Sequence, residues 1–147
     1  ELTLALKQLC ARYQIVITMP NADTSGMVYR SAFEELGEKQ KNIKLIENFG
    51  SQSYFTCMKY SKLMIGNTSS GIIEAASFNK YVLNLGNRQN GRLAGENVIH
   101  LPFDSDQILK NAIVYFQKRF EGDNLYYRPN PSKNVLRILK ETYAVFS

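Results

Sequence analysis

Nothing in the 147 residues approaches the roughly 20 consecutive apolar residues of a membrane-spanning helix. An anchor of that kind is excluded, no membrane partner is expected, and a cytoplasmic protein is. Cysteine is scarce too. Cys10 and Cys57 stand apart, without CxxC spacing or the Cys/His clustering that zinc requires, so no metal is expected and both read as reduced, buried thiols. Basic runs are also missing. The 18 Lys and Arg outnumber the 13 Asp and Glu for a net charge of +5, but they are scattered, unlike a nucleic-acid-binding arm. That distribution sets nucleic acid aside and fits a phosphate-bearing small molecule, although the same charge serves equally well to keep a domain soluble. The opening Glu1-Leu2-Thr3-Leu4-Ala5-Leu6-Lys7 has no initiator methionine, basic n-region, apolar h-region or cleavage site, so no secretory signal is expected. Leu2, Leu6 and Leu9 with Cys10 recur at helical spacing without a capping residue before them, which reads as a chain cut from a longer one.

What is present is an alternation of helix and strand. The length fits one domain with a full core. Residues 1–12 read as an amphipathic helix and Gln14–Met19 as a β-branched strand ended by Pro20-Asn21. Asp23-Thr24-Ser25 offers N-caps for a helix to about Gly37, taken as its terminator, and Ile43–Ile46 is the next strand. Ser51–Tyr60 gives a helix, Leu63–Gly66 a strand, Ser70–Phe78 a helix and Tyr81–Leu85 a strand. Val98–Leu101 adds a last strand before a helix from Ser105 to Phe120, with Ile108, Leu109, Ile113 and Phe116 on one face. A loop with Pro129 and Pro131 leads to a final helix, Val135–Phe146. Strands and helices of this length imply right-handed βαβ crossovers, hence a Rossmann-like α/β domain: a parallel sheet with helices on both faces.

Two stretches carry chemistry. In Gly66–Ala75 (GNTSSGIIEA) a strand runs into small hydroxyl residues and then a helix. Ligands of open α/β sheets gather at the carboxyl ends of strands, where a helix start offers unpaired N–H groups. Thr68, Ser69, Ser70 and Gly71 therefore suit a diphosphate cradle, or else a capped turn with no ligand. Glu74, one turn on, suits acceptance of hydrogen bonds from paired ribose hydroxyls; its plain role is a helix N-terminal charge. The second stretch, Asn84–Ile99 (NLGNRQNGRLAGENVI), follows the neighbouring strand and sets Arg88 and Arg92 among three glycines. Arginine forks suit phosphate, and glycine lets backbone approach closely.

Together these stretches resemble the hydrolysing UDP-N-acetylglucosamine 2-epimerases of sialic and legionaminic acid synthesis, in register over nearly the whole chain. The resemblance implies the C-terminal half of a glycosyltransferase-B-like fold, with residues 1–147 as its UDP-binding domain. It implies elimination of UDP from UDP-N-acetylglucosamine, then hydration to N-acetylmannosamine, with UDP and a UDP-N-acetylhexosamine as ligands and no cofactor. Matching positions place Thr68, Ser69, Ser70 and Gly71 at the diphosphate, Glu74 at the ribose and Arg88 near the nucleotide; Asn21, Phe49 and Tyr54 fall along the nucleotide and uracil pocket. Phe49 reads equally well as core, and Tyr54 somewhat better as packing than as a stacking partner. Arg92 and Glu96 read as a structural pair or as substrate contacts.

The catalytic carboxylates and histidine of such enzymes lie before the first residue here, so no catalytic residue is expected in this chain and its partner is the N-terminal domain of the same polypeptide. His100 reads as a surface or packed histidine. Met27 and Ser31 stand where the animal enzymes carry the basic residues of a feedback site, so that feedback is not expected. A free-standing nucleotide-sugar-binding module, or half of a glycosyltransferase, is the rival reading. A homo-oligomer is compatible with the sequence, which does not specify one.

Overall fold

The computed structural model describes residues 1–20 and 24–145. The elements are α1 (Leu2–Leu9), β1 (Ile15–Thr18), α2 (Thr24–Lys39), β2 (Ile43–Ile46), α3 (Gly50–Tyr60), β3 (Met64–Gly66), α4 (Ser69–Ile73), a 3-10 turn (Ala75–Phe78), β4 (Val82–Leu85), β5 (Val98–Leu101), α5 (Ser105–Tyr115) and α6 (Pro131–Val145). Each pairing among them is parallel: Ile15 lies opposite Ile43, Met64 opposite Val82, and Val82 opposite Val98. The expected single sheet is drawn as two ladders, β1-β2 and β3-β4-β5.

Packing joins the two ladders. On α1, Ala5 and Leu9, four residues apart, enter a core cluster with Leu83, Leu85, Ile108 and Ala112. Leu6 and Cys10, the next pair at that spacing, enter a second cluster with Ile17, Phe33, Leu36 and Ile43. The helix is thus a wedge between the ladders, and Ile15 packs against both clusters. Strand β4 is buried along its length, as a central parallel strand should be. Cys10 is buried and Cys57 half-buried, and both are free thiols. No helix among the described residues is long and apolar enough to cross a membrane.

Several element ends depart from expectation. Gly37 does not stop α2, which continues to Lys39. A Cβ there would sit 2.8 Å from Leu45 Cδ1, so the glycine serves the approach of helix to strand. The helix expected over Ser70–Phe78 breaks at Glu74 into α4 and the 3-10 turn. Helix α5 stops at Tyr115, and Phe120 is buried separately, with its N–H donating to the Asn79 carbonyl. Ile113 lies at the edge of the apolar arc of α5 and is exposed; Ile108 and Ala112 hold its centre. Asp23, expected as a cap, and Phe146 lie outside the described residues.

Candidate functional site

The carboxyl ends of β1 and β2 open onto a cleft of about 360 Å³. Thr18 closes it from β1, Ile46, Glu47 and Asn48 from the end of β2, Phe49, Tyr54 and Phe55 from the start of α3, and Ser70 from α4. Asn48 Oδ1 accepts the Gly50 N–H at 2.8 Å, which fixes the turn into α3. Phe49 is half-buried and meets Tyr54 edge-on, with ring centroids 6.3 Å apart. Tyr54 also packs on the cluster of Met58, Ala75 and Val82, so it serves core and cleft together.

One rim of the cleft is charged. Arg30 of α2 donates both guanidinium nitrogens to Glu47, Nη2 to Oε2 at 2.9 Å, and Nη2 also reaches the Pro20 carbonyl at 3.3 Å. Those bonds clamp the ends of β1 and β2 to α2. Hydrogen bonding to Arg30 holds the Glu47 carboxyl below its ordinary range. Asn21, expected in the pocket, lies outside the described residues.

In the serine loop, Thr68 is the N-cap of α4: its Oγ1 accepts the Ser70 N–H at 3.3 Å, and its carbonyl accepts the Gly71 N–H at 3.2 Å. Two of the amides expected to face a phosphate are therefore engaged within the turn. Ser69 is exposed, and Ser70 reaches the cleft. Gly71 is buried against β4, where a Cβ would lie 2.9 Å from Val82 Cγ1, so close helix–strand packing explains this glycine.

Glu74 sits at the helix break, partly buried, with Oε2 enclosed and without a hydrogen-bond partner among the described residues. Asn84, Gln89 and Asn97 also leave a buried side-chain oxygen unpartnered, but each donates through its amide nitrogen. Among the described residues Glu74 is the one of the four with no side-chain hydrogen bond. Leaving a buried acceptor unmatched costs roughly 1–3 kcal/mol, which sets Glu74 apart from the other three.

The glycine-rich loop leaves β4 at Gly86, whose φ of +69° and contact with Phe103 exclude a side chain. Gln89 folds back, donating Nε2 to the Asn67 carbonyl at 2.7 Å, and so ties this loop to the serine loop. Arg88 is exposed beside it. Arg92 and Glu96 are both exposed and form no ion pair with each other; next to Glu96, Asn97 anchors the loop by donating Nδ2 to the Lys80 carbonyl. His100 is exposed on β5 and its Nδ1 accepts from Asn84 Nδ2 at 3.0 Å. The structure thus gathers Phe49, Tyr54 and Ser70 in one cleft, with Thr68, Ser69 and Gly71 on the segment that carries Ser70; Glu74 and Arg88 are not among its walls. Thr18, Glu47 and Gln89 were not singled out from the sequence, since isolated polar residues outside a motif carry no local signal. Among the described residues no group of three or more His, Cys, Asp and Glu could hold a metal ion.

The sequence profile of UDP-N-acetylglucosamine 2-epimerase matches residues 1–140. The chain belongs to that family. It is 35% identical over 133 residues to the UDP-N,N'-diacetylbacillosamine 2-epimerase (hydrolyzing) of Legionella pneumophila, which covers 90% of this chain and 35% of that one. It is 41% identical over 86 residues to the Campylobacter jejuni GDP/UDP-N,N'-diacetylbacillosamine 2-epimerase (hydrolyzing), covering 58% and 22%. To the polysialic acid biosynthesis protein P7 of Escherichia coli it is 30% identical over 146 residues, covering 96% and 37%. This epimerase-family chain therefore spans about a third or less of the length of these relatives. Its fold matches the crystal structure of UDP-GlcNAc 2-epimerase from Neisseria meningitidis bound to UDP-GlcNAc, with a TM-score of 0.68 and 20% identity over 95% of this chain and 40% of that one. The fold is accordingly the α/β, glycosyltransferase-B-like one.

Proposed function

We propose that this chain is the UDP-binding part of a hydrolysing UDP-N-acetylglucosamine 2-epimerase, acting on a UDP-N-acetylhexosamine. The observation that carries the proposal is the serine loop at the carboxyl end of β3, whose Ser70 reaches the cleft, with Glu74 one turn further on and its Oε2 unpartnered among the described residues. A ribose offers what this carboxylate lacks, two adjacent hydroxyl donors. The half-polar, half-aromatic cleft of Phe49, Tyr54, Asn48 and Thr18 suits a planar base, and the hydroxyls of Ser69 and Ser70 suit the diphosphate between base and sugar.

In this reading the complete enzyme eliminates UDP across C1–C2 of the sugar and then hydrates the glycal. The chain holds the nucleotide and stabilises the negative charge that grows on the departing diphosphate, with Arg88 supplying positive charge. The groups that move protons belong to the part of the relatives' length not represented here, as does the face that selects the sugar. Calorimetric titration of the chain with UDP tests this. Saturable binding with Kd of roughly 10–100 μM, or about −5 to −7 kcal/mol, is expected, with no release of UDP from UDP-N-acetylglucosamine above background. Absence of saturable binding at millimolar UDP would contradict the proposal.

A further inference from the structure

We propose that Asn124, in the segment after α5, is a positioning residue that holds Glu74 where a ribose can meet it; this rests on the ribose reading of Glu74 given above. In an unbroken α-helix the Ile73 carbonyl would accept the N–H of Ser77, four residues on. That N–H instead donates to the Glu74 carbonyl at 2.9 Å, the three-residue spacing of the 3-10 turn, so Ile73 loses its helical donor. Asn124 supplies the replacement. Its Nδ2 donates to the Ile73 carbonyl at 2.8 Å and lies 2.7 Å from Ser77 Oγ, so it spans the break on both sides of Glu74.

The donor is itself held in place. Asn124 Oδ1 accepts the Tyr126 N–H at 2.8 Å, which fixes the side chain over its own loop. The segment is pinned upstream by buried Phe120, whose N–H donates to the Asn79 carbonyl at 3.1 Å and whose carbonyl accepts Asn79 Nδ2 at 3.0 Å. Downstream, the Tyr126 hydroxyl donates to the Leu93 carbonyl of the glycine-rich loop at 2.7 Å. One strap thus touches both stretches that carry the candidate site. Glu74 departs from regular helix, with φ −104° and ψ −30°. Without the Asn124 donor, the Ile73 carbonyl regains stability by recapturing the Ser77 N–H, which winds Glu74 back into regular helix and turns its carboxylate away from its present position.

The test separates positioning from general support, because a displaced Glu74 affects the ribose hydroxyls and nothing else on the nucleotide. The full chain and its Asn124→Asp variant are titrated with UDP and with 2′-deoxy-UDP, and both proteins are melted without ligand. Aspartate keeps the acceptor for Tyr126 and loses the donor. The parent should prefer UDP by about tenfold, the worth of one hydrogen bond to a carboxylate. In the variant that preference should fall to about twofold or less, with the base and diphosphate contributions unchanged. A folded variant that keeps the parent's preference overturns the role of Asn124 and leaves the ribose reading standing. A parent that binds UDP and 2′-deoxy-UDP equally overturns the ribose reading, and this proposal with it. If Asn124→Asp does not fold, Asn124→Ala removes the donor without adding charge, and the same ratio decides.

Discussion

Leu83 and Glu74 lie nine positions apart and are enclosed by the same fold in opposite ways. Leu83, on β4, is completely buried among Ala5, Leu9, Leu85 and Ile108, and nothing about it is left unmatched. Glu74, at the end of the preceding α4, carries an enclosed oxygen that no group among the described residues satisfies. The first residue adds stability, and the second leaves an acceptor without a partner. The serine loop that leads into α4 leaves the carboxyl end of β3, where ligands of parallel sheets arrive.

The largest way to break this contrast lies in the core. Leu83→Ala should cost about 2–5 kcal/mol of unfolding free energy, read by urea denaturation, because a fully buried leucine leaves a cavity. The UDP-induced rise in melting temperature of that variant should match the parent's. A middle-sized effect is expected at Gly71→Ala, about 1–3 kcal/mol, since the added methyl meets Val82 at 2.9 Å. Combining it with Val82→Ala should recover part of that loss, the coupling expected of residues in contact. No recovery would mean that Gly71 is retained for the ligand and not for packing.

The smallest effect is electrostatic. The Glu47 carboxyl, held low by its hydrogen bond to Arg30, has a folded-state pKa below the unfolded one. It therefore adds stability above the unfolded value, and that contribution is lost as pH falls through the folded value. In melts from pH 6 to pH 3, Arg30→Gln should show a shallower decline than the parent. The difference should be slight, because the pair is solvent-exposed and screened.

Much of the fold was legible because its strands are short β-branched runs bounded by turn residues: Ile43–Ile46 and Val98–Leu101 are observed as expected. Gly37 was misread as a terminator because its role is contact with Leu45, a neighbour that local sequence does not reveal. The break at Glu74 was equally hidden, since the donor that permits it is Asn124, fifty residues on. Phe49, Tyr54 and Ser70, expected at the nucleotide from motif and resemblance, share one cleft. The Arg92–Glu96 pair was not formed, because complementary charges four apart attract usefully on a helix and these stand in an irregular loop. Helix α6 shows the limit of periodicity. Val135, Leu136, Ile138 and Leu139 form an apolar stripe, yet each is more than half exposed; a pattern specifies a helix without specifying what covers it.

If Glu74, unmatched among the described residues, is matched by a nucleotide ribose, Glu74→Gln should show it. The amide keeps the shape but gives up charge-assisted acceptance, which is about twice as strong as the neutral kind. Thermal melts of parent and variant, with and without saturating UDP, separate the two roles, since the ligand-induced rise follows the ratio of free ligand to Kd. The variant should show a ligand-free melting temperature close to the parent's and a clearly smaller rise with UDP. An unchanged rise with UDP, together with a lower ligand-free melting temperature, would assign Glu74 to the structure of the helix and contradict the account.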